Sequence, residues 1–408
     1  MDEIEEVYGA GSDQPTPAPQ AGLKANFSAW HHPVKQLIRD QQWAALTEKL
    51  LLKDRSETEQ KALNYFTLPG ADLLDVRTLS LRLKSLGTVI EYFGFDIGQS
   101  RTADGDGMPS YLLAESELRQ AGHVSDNSEV LGDALEDIAS VTSQAANRLR
   151  QKPVFDVINI DGCNHLSFVQ SKRDKSVFDA VTTLLAHQML SKKTWLLFLT
   201  TRVDPELMGA PGVTLQKAIL ENVEAHGISF SGPVAQMLSG TPENIGSLLT
   251  NGWNTPGAPL LRLVSVGLGK HILQFYHAQH NHPAKVELAS AYAYCVHGNT
   301  PDMLSLAFRV TPSGVRIQSP TAKPVSVIEP LELNSAIPIV TRAQNLWDID
   351  AAIKADPELE AKCISGSENL LRAANFDIEV WRDWVAGHPE RPIPKERMIS
   401  ATKIGQKT

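Results

Sequence analysis

The chain has 408 residues, of which 42% are hydrophobic and 21% are charged, and its formal net charge is -9. This is the composition of an ordinary globular protein with room for one large domain or two, which excludes a fibrous or wholly disordered chain. The acidic balance argues against a general electrostatic grip on nucleic acid, although it leaves a local basic groove open.

The N-terminus is predicted to be a flexible acidic tail over residues 1–25, because it combines acids, Pro, Gly and Gln with few large apolar groups. It lacks the basic and apolar regions of a signal peptide, and the chain has no run of roughly 18 apolar residues that could span a membrane. We therefore expect a cytoplasmic protein with no membrane partner. A helical segment follows at 26–58, where the apolar spacing over 33–52 predicts one amphipathic helix.

Between residues 59 and 312, short apolar runs alternate with helical ones. The pattern predicts strands at 63–67, 88–96, 155–161 and 194–202. It predicts helices at 72–86, 111–121, 135–149 and 177–190, with a short weak strand between the second and the third. Strands and helices that alternate at this spacing form right-handed crossovers and a parallel sheet. The predicted fold class is therefore a doubly wound α/β fold.

The second half of the chain has a different pattern. Residues 205–255 are predicted to form a helical insertion, or a lid over the carboxyl edge of the sheet. Residues 285–310 alternate on both sides of the turn HGNTPD, which predicts a late antiparallel hairpin. A mainly helical C-terminal extension follows at 313–395, and a polar tail at 396–408. The extension could bind a protein partner, and its WRDWV motif is expected to pack Trp381 and Trp384 onto the body.

This order of elements resembles a class I S-adenosylmethionine-dependent methyltransferase over residues 60–312. The resemblance rests on a strand with a Gly turn (FTLPGADLLDV), a strand ending in an acid (YFGFD), a strand ending in Asp (FDVINIDG), a further strand (WLLFLTTR) and the late hairpin. It implies that the cofactor is S-adenosylmethionine and that an adenosine-type molecule binds where the strands end.

The resemblance also implies roles for particular residues. The turn after the first strand would approach the methionine part of the cofactor, through Thr67, Leu68, Pro69 and Gly70. Asp96 would accept hydrogen bonds from the ribose hydroxyls, and Asp133 would approach the adenine amino group. The fourth strand and the segment after it would line the cofactor and face the substrate, with Asn159 and Gly162 on the cofactor, Asp161 and His165 as catalytic residues, and Cys163 and Asn164 beside them.

The sequence departs from the family pattern in two places. The first turn has Gly70 alone where the family usually has an acid and repeated glycines. The fourth strand has NIDG in place of an Asn/Asp-Pro-Pro-aromatic signature, which disfavours a base-specific DNA methyltransferase. A second hypothesis is therefore a catalytically weakened, methyltransferase-like binding or scaffold subunit. A dehydrogenase is a weaker third, because the chain has no GxGxxG and does have the late hairpin.

Several candidates also have structural explanations. Gly70 could be an ordinary strand-to-helix turn, Asp96 and Asp161 could cap or end a strand, and His165 could be a packed side chain. The histidine run at 271–282 (His271, His277, His280 and His282) matches no well-defined metal site, so we expect no metal and interpret the run as a solvated segment after a strand. The three cysteines are widely spaced and predict no disulfide framework.

Overall fold

The computed structural model describes residues 22–54, 62–97, 111–278, 283–313 and 332–387. Residues 1–21 of the predicted acidic tail, the polar tail at 396–408, and His280 and His282 lie outside these residues. No helix within the described ranges combines the length and the hydropathy that are needed to span a bilayer.

One eight-stranded sheet organises the chain, in the order β3-β2-β1-β4-β5-β7-β6-β8. The strands are β1 (Ala62–Thr67), β2 (Val89–Phe95), β3 (Glu129–Leu131), β4 (Val157–His165), β5 (Trp195–Arg202), β6 (Ala284–Tyr294), β7 (Met303–Pro312) and β8 (Trp347–Asp348). β7 runs antiparallel to β5 and β6, and the other neighbouring pairs are parallel. The predicted α/β fold with a mostly parallel sheet and a late antiparallel hairpin is confirmed.

Helices cover both faces of the sheet. On the first face lie α1 (Pro33–Leu37), α2 (Ala45–Asp54), α3 (Leu74–Leu83), α4 (Tyr111–Gln120), α12 (Ile349–Ala355) and α13 (Pro357–Ala373). On the second lie α5 (Gln144–Gln151), α6 (Val177–Gln188), α7 (Gly209–His226), α8 (Ile228–Met237), α9 (Ile245–Asn254), α10 (Ala258–His277) and α11 (Glu332–Gln344). α14 (Ile378–Gly387) follows at the C-terminus.

The central strands are buried on both faces, which explains their continuous apolar runs. In β5, Leu196 and Phe198 face the first helical layer, whereas Leu197 and Leu199 face the second. Side chains alternate across a strand, so a strand covered on both faces has no polar face. This is why the sequence around β5 could be identified so readily as a strand.

The N-terminal helix has a π-helical segment in its middle, over Ile38–Ala44. Gln42 in this segment donates from Nε2 to Ser290 Oγ (2.8 Å) and accepts from Ser305 Oγ (2.7 Å), so it binds both β6 and β7. The predicted helix at 33–52 is thus continuous in extent, but it contains a wide turn that the apolar spacing did not reveal. Such turns are rare and often lie beside functional sites.

The predicted helix at 135–149 is wrong in its middle. The chain forms a 3-10 helix at Leu135–Ala139, and α5 begins only at Gln144. Ser143 ends the interruption, because its Oγ accepts a hydrogen bond from Ala146 N (2.9 Å) and donates one to Asp137 O (2.6 Å). A serine that caps the next helix competes with a continuous helix at this point.

Helices α7 to α9, which fall in the predicted insertion at 205–255, pack with α10 on the second face of the sheet and contribute a large share of its core. The two described members of the histidine run, His271 and His277, lie within α10 and not in a solvated segment after a strand. The ring centroid of His271 is 4.5 Å from that of Phe178, and burial lowers the pKa of His271 to about 4.

The two ends of the described chain pack together, and we call residues 22–44 with helices α12 to α14 the cap. Lys24 N donates to Asn375 O (2.9 Å), and Trp381 Nε1 donates to His31 O (3.0 Å). Lys24 Nζ also binds Asp72 Oδ1 (2.6 Å), which joins the cap to the turn after β1. Burial of Trp381 was expected, whereas the pairing of the two ends was not.

His31 should make the stability of the protein depend on pH. The side chain is 4% exposed, and burial, with Arg39 and Lys24 nearby, lowers its pKa from 6.5 to about 3. Below about pH 6.5 the unfolded chain therefore binds a proton that the folded chain does not, and stability falls as the pH falls towards 3. We expect this group to remove about 2 kcal/mol between pH 7 and pH 5.

The variant His31→Phe keeps an aromatic ring among Phe27 and Phe376 but cannot take up a proton. Urea unfolding at the two pH values should show a smaller loss for the variant than for the wild type, by that same amount. An equal loss in both proteins would contradict the assignment.

Candidate functional site

The first three strands of the sheet end at a common edge. Thr67 of β1 pairs with Gly94 of β2, and Phe95 of β2 pairs with Leu131 of β3. Asp96 N donates to Leu131 O (2.9 Å), so Asp96 lies directly beside the start of the loop that carries Asp133. The strand order reverses between β1 and β4, and ligands of such sheets bind at this kind of point.

The turn after β1 has space for a side chain at Gly70, whereas Pro69 in the same turn packs closely against Gly94 of β2. Gly70 is exposed, its φ is not positive, and a Cβ added there would meet no atom within 4 Å. The glycine that the fold requires is Gly94, where a Cβ would lie 2.7 Å from Pro69 Cδ and 2.8 Å from Thr67 O. Pro69 therefore packs on β2, and nothing within the described protein explains a glycine at position 70.

A buried polar network lies beneath this turn. Thr67 Oγ1 (2.5 Å) and Tyr65 OH (2.8 Å) both donate to Asp75 Oδ2, and Asn159 Nδ2 donates to Tyr65 OH (2.9 Å). Burial raises the pKa of Asp75, against the hydrogen bonds from Thr67 and Tyr65. The predicted cofactor residues Thr67 and Asn159 thus use these side-chain groups to join β1, β4 and α3, although Asn159 Oδ1 is buried with no hydrogen-bond partner among the described residues.

Asp161 of β4 holds an ammonium group. Lys35 Nζ lies 2.5 Å from Asp161 Oδ1 and 3.5 Å from Tyr294 OH, and it is 5.0 Å from the ring centroid of Trp43 and 5.7 Å from that of Tyr294. Lys35, Trp43 and Tyr294 are 6%, 1% and 4% exposed, whereas the Asp161 side chain keeps 25% of its surface exposed. A carboxylate and two aromatic rings therefore surround one buried cation.

A second cation lies close to the same carboxylate. Arg39 is 4% exposed and donates from Nη2 to Trp30 O (2.8 Å). Burial lowers the pKa of Arg39, while the negative charges of Asp161 and Asp75 oppose that shift. The first helix of the cap thus brings two positive charges to the carboxyl edge.

His165 is the last residue of β4 and pairs with Arg202 of β5, and a bulge separates it from Asp161. Burial and the charge of Arg202 lower the pKa of His165, and its Nδ1 is buried with no hydrogen-bond partner in the part of the chain that the structure describes. Within the described part of the chain, no hydrogen bond joins the two predicted catalytic residues. Gly162 lies between them, and a Cβ there would be only 3.1 Å from Thr200 O, so the close approach of β5 accounts for that glycine.

The side of the edge predicted to bind adenosine is lined by polar groups. Asp96 is half-buried. Burial raises the pKa of Tyr111, and the negative charges of Glu115 and Asp96 add to that shift. Asp133 is also half-buried and lies near Arg173, which binds both oxygens of Asp137 (2.7 and 2.8 Å). Both predicted carboxylates thus lie at the carboxyl edge of the sheet.

Several polar residues at this edge were missed in the sequence. Lys35 is 126 residues from Asp161, and no local pattern indicates so distant a pair. His297 and Asp302 lie in the turn of the hairpin, where His297 Nδ1 is hydrogen-bonded to Asp302 Oδ2 and Arg202 Nε is 3.8 Å from the same oxygen. The sequence HGNTPD predicts a turn, and nothing in it indicates that its first and last residues are hydrogen-bonded to each other.

Comparison with known proteins gives a family and a distant structural likeness. A family model described as PP_RS20740-like matches residues 24–386. No curated protein matches the chain significantly. A solved structure from Listeria monocytogenes, provisionally assigned as a class I S-adenosylmethionine-dependent methyltransferase, is similar at 10% identity and a TM-score of 0.34 over 83% of this chain and 70% of that chain. The family model therefore spans the sheet, both helical layers and the cap.

The strand order agrees with the resemblance found in the sequence. With β8 set aside, the order is 3-2-1-4-5-7-6 with an antiparallel β7, which is the mostly parallel α/β sheet with a late antiparallel pair that the sequence predicted. A fold of this kind supports many activities, so the function has to be argued from the side chains at the carboxyl edge.

Proposed function

This chain belongs to the PP_RS20740-like family, and we propose that it is an S-adenosylmethionine-dependent methyltransferase whose acceptor binds beside Asp161. The observation that carries the proposal is the arrangement of Gly70, Asp96 and Asp133 on successive strand ends beside the reversal of strand order. The open position at Gly70 adds support, because the described protein itself does not require a glycine there.

The residues at the edge divide into two groups under this proposal. The loops after β1, β2 and β3 hold the nucleoside and the methionine part through Gly70, Asp96 and Asp133. The end of β4 holds the acceptor through Asp161, beside the cap residues Lys35 and Arg39. The bound cofactor would supply an already activated methyl group, so the protein contributes mainly orientation and desolvation.

A second candidate function is a binding or scaffold subunit with weakened cofactor binding. The observation that favours it is the buried ion pair of Lys35 with Asp161, which fills the place where an acceptor would bind. The single glycine of the first turn points in the same direction. The two candidates differ in whether the edge binds an S-adenosyl ligand.

Titration with S-adenosylhomocysteine by calorimetry separates them. The wild type should bind, and Asp96→Ala should bind at least about tenfold more weakly, because it loses a charged hydrogen-bond acceptor for the ribose. Asp126→Ala is the matched control, since that carboxylate is 95% exposed and lies 3.8 Å from Arg119. No heat from the wild type at roughly millimolar ligand would favour the scaffold function.

A further inference from the structure

We propose that Asp161, Trp43 and Tyr294 form an ammonium-binding subsite, which we call the cage, and that Lys35 is its resident occupant. We further infer that the methyl acceptor of the protein is an aliphatic primary amine that takes the place of the Lys35 ammonium. This second part rests on the proposed function, whereas the cage itself does not.

The geometry of the cage suits an alkylammonium group. Such a group has three N–H donors, and here Asp161 Oδ1 at 2.5 Å and Tyr294 OH at 3.5 Å lie within hydrogen-bond distance of Lys35 Nζ. The ring of Trp43, at 5.0 Å, faces the same nitrogen within the range of a cation–π contact. Carboxylate and aromatic groups together distinguish a cation from a neutral group of the same size.

The cage is built from separate elements and has an opening. Trp43 comes from the π-helical segment, Asp161 from β4 and Tyr294 from β6. A quarter of the Asp161 side chain is exposed, so solvent reaches part of this residue although the Lys35 side chain is buried. An ion pair that served stability alone would not need such an opening, and buried ion pairs contribute little net stability.

Exchange of one ammonium for another conserves charge. If Lys35 withdraws and a substrate amine enters, Asp161 keeps one cation at the same distance, and Arg39 stays in place. Lys35 and Trp43 are on the two sides of the first turn of the π-helical segment, so a change in that turn would move the occupant and one wall of the cage together. This is the step at which the resident amine could leave.

The chemistry balances with an amine in the cage. The ammonium first gives one proton to water along the exposed side of Asp161. The nitrogen lone pair then forms the new N–C bond while the S–C bond of S-adenosylmethionine breaks. The electron pair of that bond stays on sulfur. The products are therefore the protonated N-methylated amine and S-adenosylhomocysteine, a neutral thioether.

The cage can be tested without any S-adenosyl ligand. Lys35→Ala removes a propylammonium group, so added n-propylammonium should fill the vacated cage. We expect propylammonium at about ten times its Kd to raise the melting temperature of this variant by about 2 °C over n-propanol. Lys35→Met fills the cage with an apolar chain, and Lys35→Ala combined with Asp161→Asn removes the carboxylate. Neither should respond to propylammonium in this way.

Equal effects of propylammonium and propanol on Lys35→Ala would overturn the cage, as would an equal response of Lys35→Met. If Lys35→Ala does not fold alone, the same comparison is made on its recovery from urea, followed by tryptophan fluorescence. Recovery with propylammonium but not with propanol supports the cage, and equal recovery overturns it.

The acceptor class is tested by mass spectrometry. Lys35→Ala is incubated with S-adenosylmethionine and n-propylamine at alkaline pH, and N-methylpropylamine should form at least about tenfold faster than with the wild type, where Lys35 fills the cage. If S-adenosylhomocysteine and propylammonium both bind to the variant but no product forms, the amine acceptor is wrong and the cofactor site stands. If S-adenosylhomocysteine does not bind, the proposed function and the amine acceptor fall, while the cage stands or falls on the melting data.

Discussion

Replacement of Trp381 by alanine is expected to lower the free energy of unfolding by about 3–5 kcal/mol. Trp381 is 1% exposed and fills the centre of the cap, where it packs near Leu74 and Phe376. The variant would leave a cavity, and it would remove the donor that Trp381 Nε1 supplies to His31 O at 3.0 Å. Urea unfolding gives the change directly, and a loss near 1 kcal/mol would contradict a central role.

Trp384 is the matched control for this prediction. It lies one turn further along α14 and is half-buried, with its ring centroid 5.7 Å from that of Phe27. Trp384→Ala should therefore lose clearly less stability than Trp381→Ala. Hydrogen exchange adds a second measurement, because loss of Trp381 should increase exchange in residues 22–37 as well as in α14. Faster exchange in α14 alone would mean that the two ends of the cap are not coupled.

The sheet could be predicted from the sequence because its signals are local. β5 is a continuous apolar run, and in the sequence the segments that form β6 and β7 alternate on both sides of a turn signal. Each pattern reflects how the helices and strands beside that strand bury its two faces, and every sheet of this kind has such neighbours. The order of these elements along the chain was then enough to identify the fold class.

The cap and the cage could not be predicted, because their contacts join distant parts of the chain. Lys24 pairs with residues near 375, and Lys35 reaches Asp161 across 126 positions. In the sequence, Lys35 looks like a polar residue on an ordinary amphipathic helix. The π-helical segment beside it places Gln42 against Ser290 of β6 and Ser305 of β7, and no helical periodicity encodes these contacts.

Prediction from the sequence also failed to identify which glycine the fold requires. The sequence singled out Gly70, yet the fold requires Gly94, because Pro69 and the carbonyl of Thr67 leave no room for a side chain on β2. Gly94 is hidden within an apolar strand and gives no turn signal. At Gly70 the described protein leaves space for a side chain. A substitution at this position therefore tests whether a ligand binds there.

Gly70→Val is expected to weaken binding of S-adenosylhomocysteine by about a hundredfold while leaving stability within about 0.5 kcal/mol. A Cβ at this position meets no atom of the described protein within 4 Å, and the backbone has no positive φ that a side chain would strain. Among the described residues nothing obstructs an added Cβ here, so we attribute the expected loss of affinity to a ligand that approaches the turn closely. Calorimetry measures the affinity, and urea unfolding measures the stability.

Gly22→Val is the matched control, because Gly22 is likewise exposed, has no positive φ and has no atom within 4 Å of an added Cβ, but belongs to the cap and not to the turn after β1. It should change neither the affinity nor the stability. Full binding by a folded Gly70→Val variant would mean that the ligand does not approach this turn. In that case Asp96 could still hold a nucleoside, but the methionine part would have to lie elsewhere, and the geometry proposed for methyl transfer to the end of β4 would be wrong.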